Sequence, residues 1–251
     1  MQKSKTGEFT GYRTEQQAKN DAAFKELAQT IIDKSGSNWA IHGLSVMKRN
    51  ALARVLYYHD LYQKCLPIPG VICEFGVQWG AGLSTLLNLR SILEPYNHSR
   101  HLYGFDTFEG FAGVSGADGD AAQAGDYTSM PGYEEVLAKA LAYHESIAPF
   151  PEVKKHTLIK GDVANTFPRW LEDNPHATVA MAIFDMDIYQ PTKDVLERVL
   201  DRMPKGAILV FDEFNCPLFP GETQAVDEVL KIRNLALRRH PHQTYCAFCE
   251  V

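Results

Sequence analysis

The sequence VICEFGVQWGAG, residues Val71–Gly82, decides the fold of this chain. It begins with an apolar run and ends in a turn with three glycines, after which apolar residues recur at helical spacing. This order predicts a buried strand, a tight turn and the start of a helix. Glycine permits a close approach of the backbone to a ligand, and the free N–H groups at a helix start favour a polar or anionic group.

The positions of the glycines and of one acid indicate what this turn binds. Gly76, Gly80 and Gly82 depart from the Gly-x-Gly-x-x-Gly spacing of dinucleotide-binding turns, and Glu74 precedes the first of them by two residues. A carboxylate there repels a pyrophosphate but pairs with an ammonium group. The turn therefore favours S-adenosylmethionine, whose methionyl end carries an amine; an ordinary strand-to-helix turn of an α/β protein is the alternative.

Composition and charge restrict the function classes. The chain has 251 residues, of which 45% are hydrophobic and 22% charged, and its net charge is −6. These values are typical of a globular protein, and the lack of a basic cluster argues against nucleic acid or an anionic membrane as a partner. The N-terminal 21 residues lack the apolar segment of a signal peptide, and the five cysteines are an odd number. We therefore expect a cytoplasmic protein with reduced thiols and no membrane-spanning segment.

Two regions follow from the periodicity. Apolar residues at helical spacing predict helices over Ala22–Lys34 and Ser45–Lys64, after a polar and loosely ordered segment 1–21. Pro67-Ile68-Pro69-Gly70 ends the second helix and leads into the first strand. We therefore assign residues 1–65 to a helical N-terminal extension and residues 66–251 to an S-adenosylmethionine-binding core.

Strands and helices alternate along this core. The predicted strands are Val71–Phe75, His101–Asp106, His156–Lys160, Thr178–Asp185 and Ala207–Asp212. The predicted helices are Gly82–Leu93, Tyr133–Ile147, Ala164–Glu172, Thr192–Arg202 and Glu222–Ile232. This alternation indicates an α/β fold with a doubly wound, mostly parallel sheet. The last segments, Leu235–Arg239 and Thr244–Val251, predict an antiparallel hairpin at the sheet edge and complete a seven-stranded Rossmann-like sheet.

Acidic residues stand at or just after the ends of all five predicted parallel strands, where ligands of open α/β sheets bind. They are Glu74, Asp106, Asp162, Asp185, Asp187, Asp212 and Glu213. Carboxylates brought so close repel one another unless cationic ligands bind between them. A sulfonium cofactor and a divalent metal ion would be such ligands. Asp106 suits hydrogen bonds from ribose hydroxyls; a loop or helix-capping role is its alternative.

The ends of the fourth and fifth strands favour a metal site. Asp185, Asp212 and Glu213 offer the hard oxygen ligands that Mg²⁺ prefers. Asp187, two residues from Asp185, suits a general base that deprotonates a metal-held hydroxyl. A cap of the following helix is the alternative role for Asp187.

Four segments in order resemble the macrocin O-methyltransferase family. They are EFGVQWGAG (74–82), FDTFEGF (105–111), FDMDIYQPT (184–192) and FDEF (211–214). The resemblance runs from about Met47 to the end of the chain. It departs from the family at Asp212-Glu213, where the usual pair is Asp-Asp, and at Met186, where glycine is frequent.

The resemblance implies a class I S-adenosylmethionine-dependent enzyme that methylates a sugar hydroxyl of a natural product. It implies Mg²⁺ at Asp185, Asp212 and Glu213, with Asp187 as the general base. The cofactor contacts expected from it and from the adjoining residues are Glu74, Gly76, Gly80, Gly82, Ser84, Asp106, Thr107, Phe108, Asp162, Val163 and Asp185. The acceptor would be a small molecule, and the N-terminal helices suit a homo-oligomer.

Two other functions are compatible with these residues. A metal-dependent glycosyltransferase would use the Asp185-x-Asp187 motif, and a non-catalytic small-molecule-binding protein could retain the fold. The loop Ala112–Gly132 is long enough for a lid and is expected to shape the acceptor pocket. Cys246-x-x-Cys249 lies in a predicted edge strand without a second pair, which favours a structural role.

Overall fold

The computed structural model describes residues 2–4, 8–10, 14–243 and 245–251. The strands are β1 (Gln2–Lys3), β2 (Phe9–Thr10), β3 (Val71–Phe75), β4 (Leu102–Asp106), β5 (His156–Lys160), β6 (Val179–Phe184), β7 (Ile208–Phe211), β8 (Arg238–Arg239) and β9 (Ala247–Glu250). Within these residues, β3 to β9 form one seven-stranded sheet in the order β5-β4-β3-β6-β7-β9-β8, and β1 and β2 form a separate antiparallel ribbon.

The sheet confirms the predicted α/β class. Strands β5, β4, β3, β6 and β7 are parallel, and β9 pairs antiparallel with both β7 and β8. The predicted C-terminal hairpin is therefore present at the sheet edge; Thr244, the expected first residue of its second strand, lies outside the described residues. β3 is buried along its whole length, as its continuous apolar sequence requires for a strand covered on both faces.

Helices cover both faces of the sheet. They are α1 (Glu15–Lys34), α2 (Trp39–His42), α3 (Arg49–Cys65), α4 (Ala81–Leu93), α5 (Tyr133–Ser146), α6 (Val163–Asp173), α7 (Tyr189–Val199) and α8 (Pro220–Leu230). Helices α3, α4 and α5 pack on one face, and α6, α7 and α8 pack on the other. The alternation of side chains in β3 divides the core, because Ile72 joins the first cluster while Cys73 and Phe75 join the second.

The N-terminal region differs from its predicted form. Helix α1 begins at Glu15, seven residues before the predicted start at Ala22, because Thr14 and Gln17 form a capping box. The predicted loose order of residues 15–21 is therefore wrong; the Thr-x-x-Gln signal in a polar sequence was the missed cue. Helix α3 begins at Arg49 rather than Ser45, since Met47 and Lys48 are extended and a short 3₁₀ turn covers Gly43–Val46.

The chain order creates a crevice beside β3. From β3 the chain builds outward through β4 and β5, and it then returns to the other side of β3 as β6. Helices that follow β3 and β6 therefore leave on opposite faces, and a gap opens outside the carboxyl ends of these two strands. The residues that follow Phe75 and Phe184 lie at this gap.

Candidate active site

The glycine turn lets β3 approach β6 at the crevice. Gly76 has a φ of +93°, and a Cβ atom there would lie 1.9 Å from the backbone oxygen of Asp185. The N–H of Asp185 donates to the carbonyl oxygen of Phe75 at 2.8 Å, which fixes the two strand ends side by side. Any side chain at position 76 would separate them, so the glycine is a geometric requirement of the crevice.

Glu74 is a buried carboxylate with an unused oxygen. The residue is 2% exposed, and its Oε2 atom has no hydrogen-bond partner within the part of the chain that the structure describes. Burial raises the pKa of Glu74 well above its usual value, and the charge of Asp185 adds to the shift. Because an unpaired buried acceptor is costly, this oxygen is suited to receive a donor from a ligand in the crevice.

Asp106 organises the glycine turn from the neighbouring strand. Its Oδ2 atom accepts hydrogen bonds from the N–H groups of Val77 and Gln78 at 2.6 and 2.8 Å, and its Oδ1 atom accepts from the N–H of Phe108 at 2.5 Å. Oδ1 keeps a second lone pair for a further donor. Asp106 thus has the structural role in loops that was the alternative from sequence, and its contact with a ribose stays a prediction.

A single cavity of about 730 Å³ joins the glycine turn to the acidic strand ends. Most of the predicted cofactor contacts line it: Glu74, Gly76, Gly82, Asp106, Thr107, Asp162, Val163 and Asp185. Three do not line it. Gly80 faces Leu137, Ser84 lies further along α4, and Phe108 is buried in the core at 4% exposure.

The register of the sheet brings Asp185 and Asp212 side by side. Phe75, Phe184 and Phe211 are aligned across β3, β6 and β7, and the N–H of Asp212 donates to the oxygen of Phe184 at 3.0 Å. The residue that follows each aligned phenylalanine therefore lies at the same edge of the sheet. Burial and the adjacent charge of Asp212 raise the pKa of Asp185 well above its usual value.

Arg54 bridges these two acids. Its Nη1 atom donates to Oδ1 and Oδ2 of Asp212 at 2.8 and 3.0 Å, and its Nη2 atom donates to Oδ2 of Asp185 at 2.9 Å. The guanidinium lies over the ring of Tyr58, with 5.4 Å between Cζ and the ring centroid. The crowded acids thus already hold one cation, supplied by α3.

Asp187 is held in an uncommon backbone conformation. Its φ is +62°, and the N–H of Ile188 donates to the oxygen of Met186 at 2.7 Å, which closes a γ-turn around Asp187. The residue is 5% exposed and lines the cavity. Burial and the charges of Glu213 and Asp212 raise its pKa. A buried carboxylate with a raised pKa is a stronger base than one in water, and local strain is frequent at functional positions.

Further acids surround the end of β7. Burial, with the nearby charge of Asp212, raises the pKa of Glu213 to about 6, although a hydrogen bond with Cys216 opposes the shift. Glu222 is fully buried; its Oε1 atom accepts from the N–H of Glu213 at 3.1 Å, and its Oε2 atom has no partner among the described residues. Among those residues, no group of three or more His, Cys, Asp or Glu side chains is arranged to hold a metal ion.

The two thiols of the Cys-x-x-Cys segment serve different parts of the core. Cys246 donates to Oδ1 of Asp212 at 2.8 Å, whereas Cys249 packs in the cluster on the opposite face of the sheet.

In the described residues, no helix has both the length and the apolar character required to cross a membrane.

The loop 112–132 forms an ordered wall of the cavity. Asp118 is 1% exposed; it accepts from the N–H and hydroxyl of Ser115 at 2.6 and 2.9 Å, and from the N–H of Tyr189 at 2.6 Å. The last bond ties the loop to the first turn of α7. The loop is therefore fixed to the same segment that carries Asp187.

The N-terminal ribbon closes over the glycine turn. Oε1 of Glu8 accepts hydrogen bonds from Nε2 of Gln78 and Nε1 of Trp79, at 2.7 and 2.8 Å. Lys3 pairs with Asp126 at 2.5 Å, which ties the ribbon to the cavity-wall loop as well. The ribbon thus connects two walls of the cavity.

Sequence reasoning missed Arg54, Glu222, Asp118 and Glu8. One signal was available for Arg54, because it precedes Tyr58 by one helical turn on a face that also carries the buried Tyr57 and Leu61. A cation on the buried face of a helix needs a carboxylate partner. The partners of Glu222, Asp118 and Glu8 are set by the tertiary structure, and no local sequence pattern indicates them.

A parallel sheet with an antiparallel last strand pair, a glycine turn and acids at the strand ends define an α/β methyltransferase. The macrocin O-methyltransferase (TylF) family profile matches residues 6–238. The chain belongs to this family of O-methyltransferases, as its sequence motifs predicted.

Two solved structures of one relative cover nearly the whole chain. The crystal structure of CalS11, a calicheamicin methyltransferase, is 33% identical with a TM-score of 0.86, over 97% of this chain and 99% of its own. The apo structure of CalS11, described as a TDP-rhamnose 3'-O-methyltransferase of calicheamicin biosynthesis, is 32% identical with a TM-score of 0.83, over 95% and 96%.

A relative from Streptomyces olivaceus matches over a shorter range. This 8-demethyl-8-(2,3-dimethoxy-alpha-L-rhamnosyl)-tetracenomycin-C 4'-O-methyltransferase is 28% identical over 152 residues, which cover 59% of this chain. The match spans 54% of the length of that relative. The O-methyltransferase NovP, at 17% identity and a TM-score of 0.56 over 79% of each chain, shares the fold.

Proposed function

We propose that this protein is an S-adenosylmethionine- and Mg²⁺-dependent O-methyltransferase that acts on a sugar hydroxyl of a glycosylated natural product. The observation that carries the proposal is the cavity in which the unpaired Glu74 carboxylate and the acids Asp185, Asp187 and Asp212 meet. Two relatives support the acceptor class, since their names specify a rhamnosyl tetracenomycin and TDP-rhamnose as what they act on.

The cofactor would lie along the glycine turn. Glu74 would accept a hydrogen bond from the amine of the methionyl end, because its Oε2 atom is buried and lacks a partner among the described residues. Asp106 would accept from a ribose hydroxyl through the free lone pair of Oδ1, and Asp162 and Val163 would border the adenine. When bound, S-adenosylmethionine supplies the electrophilic methyl group.

The donor set fits a magnesium ion in its chemistry. Asp185, Asp212 and Glu213 offer hard oxygens, and the ion pairs of Arg54 with Asp185 and Asp212 support the binding of a positive charge between these two acids. These side chains need a rearrangement to act as a ligand set, because Arg54 engages two of them. When bound, Mg²⁺ would lower the pKa of an acceptor hydroxyl.

Asp187 would take the proton of the acceptor hydroxyl. Asp187 lines the cavity, and its raised pKa makes its carboxylate a stronger base than one in water. Transfer of the methyl group from sulfur to the acceptor oxygen would leave S-adenosylhomocysteine as the second product, and Asp187 would return its proton to solvent. The γ-turn around Asp187 keeps the carboxylate fixed, so little reorganisation is required.

Calorimetry separates this function from a glycosyltransferase. We expect S-adenosylhomocysteine to bind the protein and a nucleoside diphosphate without its sugar to bind weakly even with Mg²⁺. Glu74→Gln should weaken S-adenosylhomocysteine binding, while Glu135→Gln on the exposed side of α5 should not. The proposal is wrong if only the nucleoside diphosphate binds. It is also wrong if, in a panel of rhamnosylated acceptors, none receives a labelled methyl group from S-adenosylmethionine.

We also propose that the helical N-terminal extension, residues 1–65, joins copies of the chain into a homo-oligomer. Helix α1 contains no buried residue, and large apolar side chains of the region are exposed, among them Leu27, Trp39, Ile41, Leu44 and Leu52. A second copy would cover such a surface. Light scattering should give a mass above that of a monomer, and Ile41→Glu should reduce it.

We also propose a cytoplasmic location, which is supported by the reduced state of the cysteines. All five cysteines are free and buried.

A further inference from the structure

Arg54 contacts two of the three carboxylates that would hold the proposed metal. Both oxygens of Asp212 accept from its Nη1 atom, and one oxygen of Asp185 accepts from its Nη2 atom. Oδ1 of Asp212 also accepts from the thiol of Cys246 at 2.8 Å. The positive charge of Arg54 is therefore hydrogen-bonded to carboxylates that a divalent cation would also bind. Repulsion between the cation and the guanidinium would oppose binding while Arg54 keeps this position.

We propose that Arg54 is a displaceable counter-ion of the metal site: its guanidinium neutralises Asp185 and Asp212 in the metal-free protein and leaves Asp212 when a divalent cation binds. The proposal rests on the proposed metal dependence. It makes Arg54 a positioning residue that sets the metal affinity of the site.

The surroundings of Arg54 allow this movement. Its side chain is 30% exposed and lines the cavity, so the guanidinium has space on one side. The backbone of α3 is anchored by Tyr57, Tyr58 and Leu61, which are fully buried, so only the side chain has to move. The ring of Tyr58 below the guanidinium gives it a surface to rest on after it leaves Asp212.

The charges around the site explain why a built-in cation is useful. Five acids interact electrostatically with Arg54: Glu74 in β3, Asp185 and Asp187 after β6, and Asp212 and Glu213 after β7. Without a positive charge these carboxylates repel one another at the centre of the sheet edge. Arg54 lets the strand ends adopt their positions before any metal arrives.

Metal titration of the metal-free protein tests the competition. We would remove metals with a chelator and titrate Mn²⁺, following free Mn²⁺ by electron paramagnetic resonance, with Mg²⁺ calorimetry alongside. Arg54→Met should bind Mn²⁺ about tenfold more tightly than wild type, the factor expected if the ion pair is formed nine-tenths of the time. Arg54→Lys, which keeps a charge but loses the planar fork, should fall between them.

The control is Arg49→Met, in the first turn of the same helix. It removes the same charge at an exposed position outside the cavity. We expect its Mn²⁺ affinity to stay within about twofold of wild type, since exposed charges at a distance are screened. Circular dichroism and S-adenosylhomocysteine binding would establish that each variant is folded, and Arg54→Lys carries the test if Arg54→Met is not.

The outcomes distinguish this inference from the proposed function. If wild type binds Mn²⁺ and Arg54→Met binds it equally or more weakly, the displacement is wrong and the metal dependence stands. If only Arg54→Met binds it, Arg54 blocks the site and is not displaced, so both the displacement and the metal dependence of the native protein are wrong. If neither binds it, both are wrong, and the methyl-transfer assay without added metal decides the rest of the proposed function.

Discussion

The backbone of Gly82 lies so close to the side chain of Glu74 that any side chain at position 82 would clash with the carboxylate. A Cβ atom on Gly82 would lie 1.8 Å from Oε1 of Glu74 and 2.8 Å from the hydroxyl of Tyr58. The first turn of α4 therefore passes directly over the buried carboxylate, and the glycine keeps Glu74 facing the cavity.

Gly82→Ala tests this contact. The added methyl group should displace the Glu74 carboxylate and weaken S-adenosylhomocysteine binding at least about tenfold, the loss typical of one hydrogen bond to a charged group. Calorimetry measures the change. Gly43→Ala is the control, because a Cβ atom at Gly43 meets nothing within 4 Å. If Gly82→Ala binds S-adenosylhomocysteine with unchanged affinity, Glu74 does not contribute to cofactor binding.

The burial of Glu74 also predicts a pH dependence of stability. Burial, with the charge of Asp185, raises the pKa of Glu74 in the folded protein above its unfolded value. The folded state then binds the proton more tightly, so the stability from this group is full below the unfolded pKa and is lost as the pH rises through the folded pKa. Glu74→Gln cannot ionise and should gain stability relative to wild type between about pH 5 and pH 8.

Urea denaturation across that range measures the difference. A constant gap between the two proteins would mean that the pKa of Glu74 is the same in the folded and unfolded states, which contradicts the prediction. Glu135→Gln, on an exposed part of α5, is the matched control and should follow the wild-type curve.

Asp118 holds the cavity-wall loop against α7. Asp118→Ala removes the acceptor of the Tyr189 N–H and of both Ser115 donors, so it should lower the free energy of unfolding by about 2–3 kcal/mol. The loop should also be cut faster by protease. Asp120→Ala, at an exposed position two residues away, should do neither. Equal protease sensitivity of the two variants would contradict the role assigned to Asp118.

Glu8 fastens the N-terminal ribbon to Trp79 and Gln78. Glu8→Ala should free the indole, increase quenching of tryptophan fluorescence by acrylamide and speed the release of S-adenosylhomocysteine by a few-fold. Stopped-flow fluorescence measures the release. Glu26→Ala, on the exposed surface of α1, is the control. Identical release rates would limit the ribbon to a structural role.

The order of the core elements could be predicted because each buried strand is a short apolar run closed by a turn. Val71–Phe75 and His156–Lys160 were predicted with the bounds that the structure gives them. Helix starts were less accurate where a polar capping signal or a proline in the first turn set them. Helix α8 begins at Pro220 rather than Glu222, since proline suits the first helical position.

The acidic site could be predicted in part for the same reason. Parallel strands end at one edge, so acids that follow them meet there, as Asp185 and Asp212 do. What the sequence could not show was the cation between them, because Arg54 is 131 residues from Asp185 along the chain. The hydrogen bonds from Tyr189 to Asp118 and from Gln78 to Glu8 span 71 and 70 residues, and no local pattern encodes them.

The most direct test of the central claim is methyl transfer by Asp187→Asn. We would measure transfer of a labelled methyl group from S-adenosylmethionine to rhamnosylated acceptors and TDP-rhamnose, with Mg²⁺, and the affinity for S-adenosylhomocysteine in parallel. The variant should lose about 100- to 10,000-fold in kcat, the range for removal of a general base, and keep its affinity for S-adenosylhomocysteine. Turnover equal to wild type in Asp187→Asn would contradict the account.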